Sequence, residues 1–139
     1  MDEQQNIIIY QSEDGVIRLD VRLENKTVWL TQQQMADLFG SSRTNVVEHI
    51  KHIYEDGELE EEATCRKFRQ VRQEGNRDVT REIPYYNLDM IISVGYRIRS
   101  IIATRFRQWA TERLHEYIVK GFALDDERLK NLGGGGYWK

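Results

Sequence analysis

The stretch TQQQMADLFGSSRTNVVEHIKHIYEDG, residues 31–57, holds two helical patterns on either side of a glycine. Thr31 can cap a helix over Gln32–Phe39 whose apolar stripe is Met35, Leu38 and Phe39. Gly40-Ser41-Ser42 breaks the pattern, and Ser41 or Ser42 can cap a second helix. That helix carries Val46, Val47, Ile50 and Ile53 and runs out near Glu55-Asp56-Gly57. A helix-turn-helix needs a small residue where its helices cross, here Ala36, and a turn tolerant of unusual backbone angles, here Gly40. Val46 would close the corner. The first turn of the second helix is polar, with Ser42, Arg43, Thr44 and Asn45, and Glu48 and His49 follow one turn on. Arginine pairs with guanine and asparagine with adenine, so Ser42, Arg43, Thr44, Asn45 and His49 are the expected groove-facing set. The competing reading is two packed helices with a solvated face. Local charge favours it, because Asp37, Glu48, Glu55 and Asp56 outnumber Arg43 and Lys51.

Upstream, the period changes to two. Ile7-Ile8-Ile9-Tyr10 is a short apolar run before the turn signal Ser12-Glu13-Asp14-Gly15. Ile17, Leu19, Val21 and Leu23 then alternate with Arg18, Asp20, Arg22 and Glu24, and Asn25-Lys26 separates them from Thr27-Val28-Trp29-Leu30. An antiparallel meander with one buried face is expected over residues 6–30.

Downstream, residues 63–84 read as two strands joined by a mobile tip, Glu74-Gly75-Asn76-Arg77-Asp78, and closed by Pro84. Arg66, Lys67, Arg69, Arg72, Arg77 and Arg81 fall within this hairpin. A basic hairpin just after a recognition helix is the arrangement of a winged helix-turn-helix, and these six cations are expected on phosphates. A charged edge that blunts sheet-to-sheet association would look the same. Asn87 can cap a short helix over 88–94 that Gly95 ends. A long helix over roughly 100–120 places Ile102, Phe106, Trp109, Ala110, Leu114, Tyr117 and Gly121 on one arc, with Arg113 among them. The expected fold is therefore α+β. Small antiparallel strands, a helix-turn-helix over 31–57, a winged-helix-like hairpin over 63–84 and helices over 87–121 would make one domain over 1–131. The Gly-rich run within 132–139 reads as a linker, so the chain is expected to be an N-terminal module or a truncated copy of something longer.

With 139 residues and a net charge of −3, the chain suggests little affinity for nucleic acid until the charges are placed. Residues 1–63 hold five Lys/Arg against fourteen Asp/Glu, and residues 64–121 hold twelve against six. The sum hides a basic half in which arginine dominates, and arginine's planar fork suits phosphates and base edges. Arg97, Arg99, Arg105 and Arg107 form a second basic group, free for a partner or paired with the acidic half. A lone cysteine, Cys65, no apolar run of membrane length and no leader signal make the cytoplasm the expected compartment.

Enzyme readings find little support. His49 and His52 lie three apart beside Glu48 and Glu55, but further ligand-like spacing is lacking. No phosphate-cradling glycine loop and no nucleophile–base arrangement is legible. No cofactor, metal or catalytic group is expected.

Tyr86-Asn87-Leu88-Asp89-Met90-Ile91-Ile92-Ser93-Val94-Gly95-Tyr96-Arg97, Phe106-Arg107-Gln108-Trp109-Ala110-Thr111 and Glu116-Tyr117-Ile118-Val119-Lys120-Gly121-Phe122 resemble the RhuM family of virulence-associated proteins. Trp29-Leu30-Thr31-Gln32, Met35-Ala36-Asp37-Leu38-Phe39 and Leu124–Asn131 fit the same pattern, so the resemblance extends over essentially the whole chain. It implies a protein of pathogenicity islands or other mobile elements whose N-terminal part is related to the DNA-binding modules of phage antirepressors. Family members continue past the glycine run, so only N-terminal functions carry over. The expected partner is double-stranded DNA, with a homodimer compatible and no membrane. The alternative is a protein-interaction or dimerisation module without DNA binding, its acidic half meeting a basic partner or a second copy.

Overall fold

Residues 6–124 are described in the computed structural model, and they form the expected α+β fold. In chain order the elements are β1 (Ile7–Gln11), β2 (Arg18–Glu24), β3 (Thr27–Thr31), α1 (Gln32–Phe39), α2 (Arg43–Glu55), α3 (Glu61–Thr64), β4 (Cys65–Glu74), β5 (Arg77–Asn87), α4 (Leu88–Ile98) and α5 (Ser100–Leu124). The five strands make one antiparallel sheet in the order β1-β2-β3-β5-β4. The glycine run and the linker expected over 132–139 lie outside the described residues.

The alternation of β2 does what its period requires. Leu19, Val21 and Leu23 are buried on one face, with Val28 and Leu30 of β3 and Tyr10 of β1 beside them. Asn25 and Lys26 both take positive φ, +53° and +62°, as a two-residue type I′ hairpin turn demands. Trp29 points to the opposite face yet is only 4% exposed. Phe68 and Tyr85 form an edge-on aromatic cluster with it, the Arg22 guanidinium sits 3.9 Å from the Phe68 ring centroid, and the Trp29 Nε1 donates to the Glu24 carbonyl at 2.9 Å.

Thr31 ends β3 and caps α1 in the same step. Its Oγ1 accepts from the Gln34 N–H while the Gln34 side chain accepts from the Thr31 N–H, a reciprocal capping box. Gly40 takes the left-handed conformation, φ +66°, and closes the helix by donating to the Ala36 carbonyl. Ser42, not Ser41, caps α2. Met35, Ala36, Phe39, Val46 and Ile53 are fully buried, so the two helices cross as the small residue and the turn permit.

Three expectations need correction. The hairpin tip is a two-residue turn, Gly75-Asn76, with Glu74 paired to Arg77, rather than a five-residue loop. Pro84 does not close the strand, since β5 runs on to Asn87 and pairs β3 through Tyr85, Tyr86 and Asn87. Counting alternate pairs from Glu74–Arg77, Pro84 faces Lys67 as a non-hydrogen-bonded pair, so its absent N–H points where β3 has already ended. Gly95 does not terminate α4, which continues to Ile98. It is a point of contact with Phe39 and Ala103 instead.

The core of α5 is Ala103, Phe106 and Ala110, with Ile102, Trp109 and Leu114 half-buried around it. Tyr10, Phe106 and Trp109 pack with centroids 5.0 to 5.5 Å apart. The apolar arc stops at Leu114, because Tyr117 is 46% exposed. Gly121 lies beyond the side chains described. Arg113 pairs with Glu116 at 3.1 Å on its own helix.

Candidate nucleic-acid interface

The hairpin has two faces, and pairing decides which cations share one. Directly opposed residues of β4 and β5 project to the same side. Arg66, Arg72, Arg77 and Arg81 therefore share one face, with Phe68, Gln70, Ile83 and Tyr85, against the single carboxylate Glu74. Lys67 and Arg69 lie on the reverse face with Asp78 and Glu82, where the charges cancel. The six cations expected to act together are thus split four and two.

The four-arginine face turns towards the helix-turn-helix. A cleft of about 420 Å³ lies between them, lined by Gln32, Gln33, Arg43, Gln70, Arg72 and Tyr85 among others. Arg43 opens α2 and Arg72 stands on β4, so one cleft joins the start of the second helix to the hairpin. Arg66 is turned away from this work. Its guanidinium lies 5.3 Å from the Trp29 ring centroid. Arg81 pairs with Glu74 at 3.0 Å, and both side chains remain about half exposed.

Helical geometry separates the expected groove-facing residues of α2. At 100° per residue, Arg43 shares a flank with Val47 and Tyr54, whereas Asn45, His49 and His52 lie on the other. The outward row between them is Thr44, Glu48, Lys51 and Glu55, all exposed. Ser42 spends its hydroxyl oxygen on the Asn45 N–H at 3.0 Å, and the Asn45 amide donates to Ser41 at 2.8 Å. His49 is half-buried, and its Nδ1 has no partner among the described residues. The structure thus brings Arg43 to the hairpin and leaves His49 apart from it.

Burial lowers the His49 pKa, and the positive charges of Arg97 and His52 lower it further, while Glu48 opposes them. A histidine with a depressed folded-state pKa contributes stability while neutral. That contribution falls away as pH drops below the unfolded value near 6.5. Thermal melts from pH 7 to pH 5 should show the parent losing stability more steeply than His49→Gln. Parallel pH profiles would show that His49 titrates normally.

The acidic run does not neutralise the hairpin among the described residues. Asp56 and Glu58 both meet Arg97, at 3.8 and 3.0 Å, and Glu13 meets Arg105 at 3.7 Å. Part of the second basic group is therefore spent on the acidic half. Cys65 is half-buried and lies against Tyr86, and burial pushes its thiol pKa up, which disfavours the reactive thiolate.

Gln32, Gln33 and Gln70 line the cleft without having stood out in the sequence. Gln70 was within reach, since period two applied to β4 aligns it with Arg66 and Arg72. Gln32 and Gln33 carried no such signal, because a polar run at a helix start is ordinary.

Among the described residues no helix is long and apolar enough to cross a membrane. No curated protein and no solved structure matches the chain. The model of the Virulence protein RhuM family matches residues 63–139, which takes in the hairpin, α4 and α5. The match lies in the C-terminal part and begins after the helix-turn-helix, so the residues quoted from 29–39 fall outside it and the resemblance is narrower than the whole chain. Over more than half of its length, from the basic hairpin onward, this chain carries the pattern of the Virulence protein RhuM family, and it belongs to that family.

Proposed function

We propose that this chain is a double-stranded DNA-binding module that acts in transcriptional or mobile-element regulation. The observation that carries the reading is the cleft that Arg43 of the helix-turn-helix and Arg72 of the hairpin both line. Arg43 would enter the major groove from the start of α2, with Thr44 beside it. Arg72, Arg77 and Arg81 would lie along the flanking phosphates, as a wing does. Two copies on two half-sites would double the charge contact, so a homodimer fits this role.

Counterion release provides the test. Anisotropy of a labelled duplex of random sequence should show affinity falling steeply between 50 and 200 mM KCl, with a log–log slope of about −3 for three phosphate contacts. A flat profile would remove the reading. One observation favours the alternative, a protein-interaction module: the outward row of α2 carries Glu48 and Glu55. These carboxylates would repel a backbone lying across the middle of the helix. If that alternative holds, Glu48→Lys with Glu55→Lys will not tighten duplex binding. On the DNA reading the double change tightens it.

A further inference from the structure

Arg43 is held from behind. Its Nε–H donates to the Gln32 Oε1 at 3.2 Å, and the Gln32 Nε2 lies 3.1 Å from the Tyr86 hydroxyl. Arginine offers only donors, so the Gln32 oxygen must face it and the amide nitrogen must donate to Tyr86. The tyrosine is a firm anchor. It is 6% exposed and pairs with Leu30 on one side and Cys65 on the other, inside the sheet. Burial raises its pKa, so the hydroxyl stays protonated, and the Cys65 thiol lies against the same oxygen.

This arrangement occupies one donor of Arg43, and among the described residues the two terminal nitrogens have no other partner. Those two form the end-on fork that matches O6 and N7 of guanine. A side chain already held in place loses less rotamer freedom on contact. Resting on the DNA reading above, we propose that Tyr86 and Gln32 are positioning residues that aim Arg43 at a guanine, so that a G·C pair is the base this module selects.

A purely structural chain of hydrogen bonds would affect melting but not base preference, and that difference sets the experiment. The full chain is used to select from a library of duplexes with 20 randomised base pairs, and the enriched pool is sequenced. The parent should enrich a position at which guanine is preferred by ~10-fold, and Arg43→Ala should abolish that preference. Tyr86→Phe keeps the ring packed and should flatten the guanine preference several-fold. Its affinity for unselected duplex and its salt slope should stay within about twofold of the parent. Gln32→Leu, at a half-buried position, should do the same without touching the core. Gln32→Glu should pair with the fork itself and remove both preference and affinity. A guanine preference that survives Tyr86→Phe and Gln32→Leu undiminished overturns the inference and leaves DNA binding standing. Failure of the parent to bind any duplex overturns the DNA reading and this inference together.

Discussion

Gly95→Ala is expected to destabilise the protein by about 2–3 kcal/mol and to lower its Tm by roughly 5–10 °C, with Gly95→Val costing more. On helix propensity alone the opposite would follow, since alanine is favoured over glycine by about 1 kcal/mol in a helix interior. Contact distances reverse the sign. A Cβ at position 95 would meet the Phe39 ring at 2.5 Å and the Ala103 methyl at 2.7 Å. Neither can retreat, because Phe39 and Ala103 are both fully buried. Phe39 is the last residue of α1, so the clash would also push on the corner that presents Arg43. The check is a double-mutant cycle. Phe39→Leu should be destabilising alone but should recover part of the Gly95→Ala loss, because it vacates the ring position. A Gly95→Ala variant that melts at or above the parent would show that α4 does not approach α1 this closely.

The second large effect concerns the two faces of the hairpin. Arg72→Ala with Arg77→Ala should weaken duplex binding by about 30-fold near 0.1 M salt and reduce the magnitude of the salt slope by about 2, as two lost phosphate contacts require. Lys67→Ala with Arg69→Ala removes the same net charge from the reverse face, where Asp78 and Glu82 balance it. That pair should change affinity by no more than about twofold, mostly through the long-range field. Both pairs are exposed strand residues, so neither should disturb folding. Equal losses from the two pairs would mean that the hairpin acts through net charge and not through one face. A larger loss from Lys67 and Arg69 would place the DNA on the opposite side from Arg43.

Several features of the fold were legible because their causes are local. The alternation of Leu19, Val21 and Leu23 fixes a strand with one buried face whatever packs on it. Thr31 and Gln34 form their capping box within one turn of chain, and Gly40 is the residue that a left-handed cap accepts at least cost. Ala36 beside Gly40 was enough to expect a close helix crossing. Errors arose where a local signal met a distant neighbour. Gly95 looks like a helix end until Phe39 is seen against it. Pro84 looks like a strand end until the register shows that its missing N–H faces no strand.

The candidate site divides in the same way. Sequence alone determined that Arg43 opens a capped helix and that the hairpin after it is rich in arginine, because both facts are matters of residue type and spacing. Tertiary structure decided which of those cations can act together. Strand register placed Arg72 and Arg77 on the face that turns towards Arg43 and sent Lys67 and Arg69 to the other. Helix phase set His49 on the flank away from Arg43, where Arg97 influences its charge. The sheet put Tyr86 behind Gln32, 54 positions away in sequence. Composition fixes how much charge a chain carries, but where the charge acts depends on contacts between segments far apart, and those exist only once the core has closed.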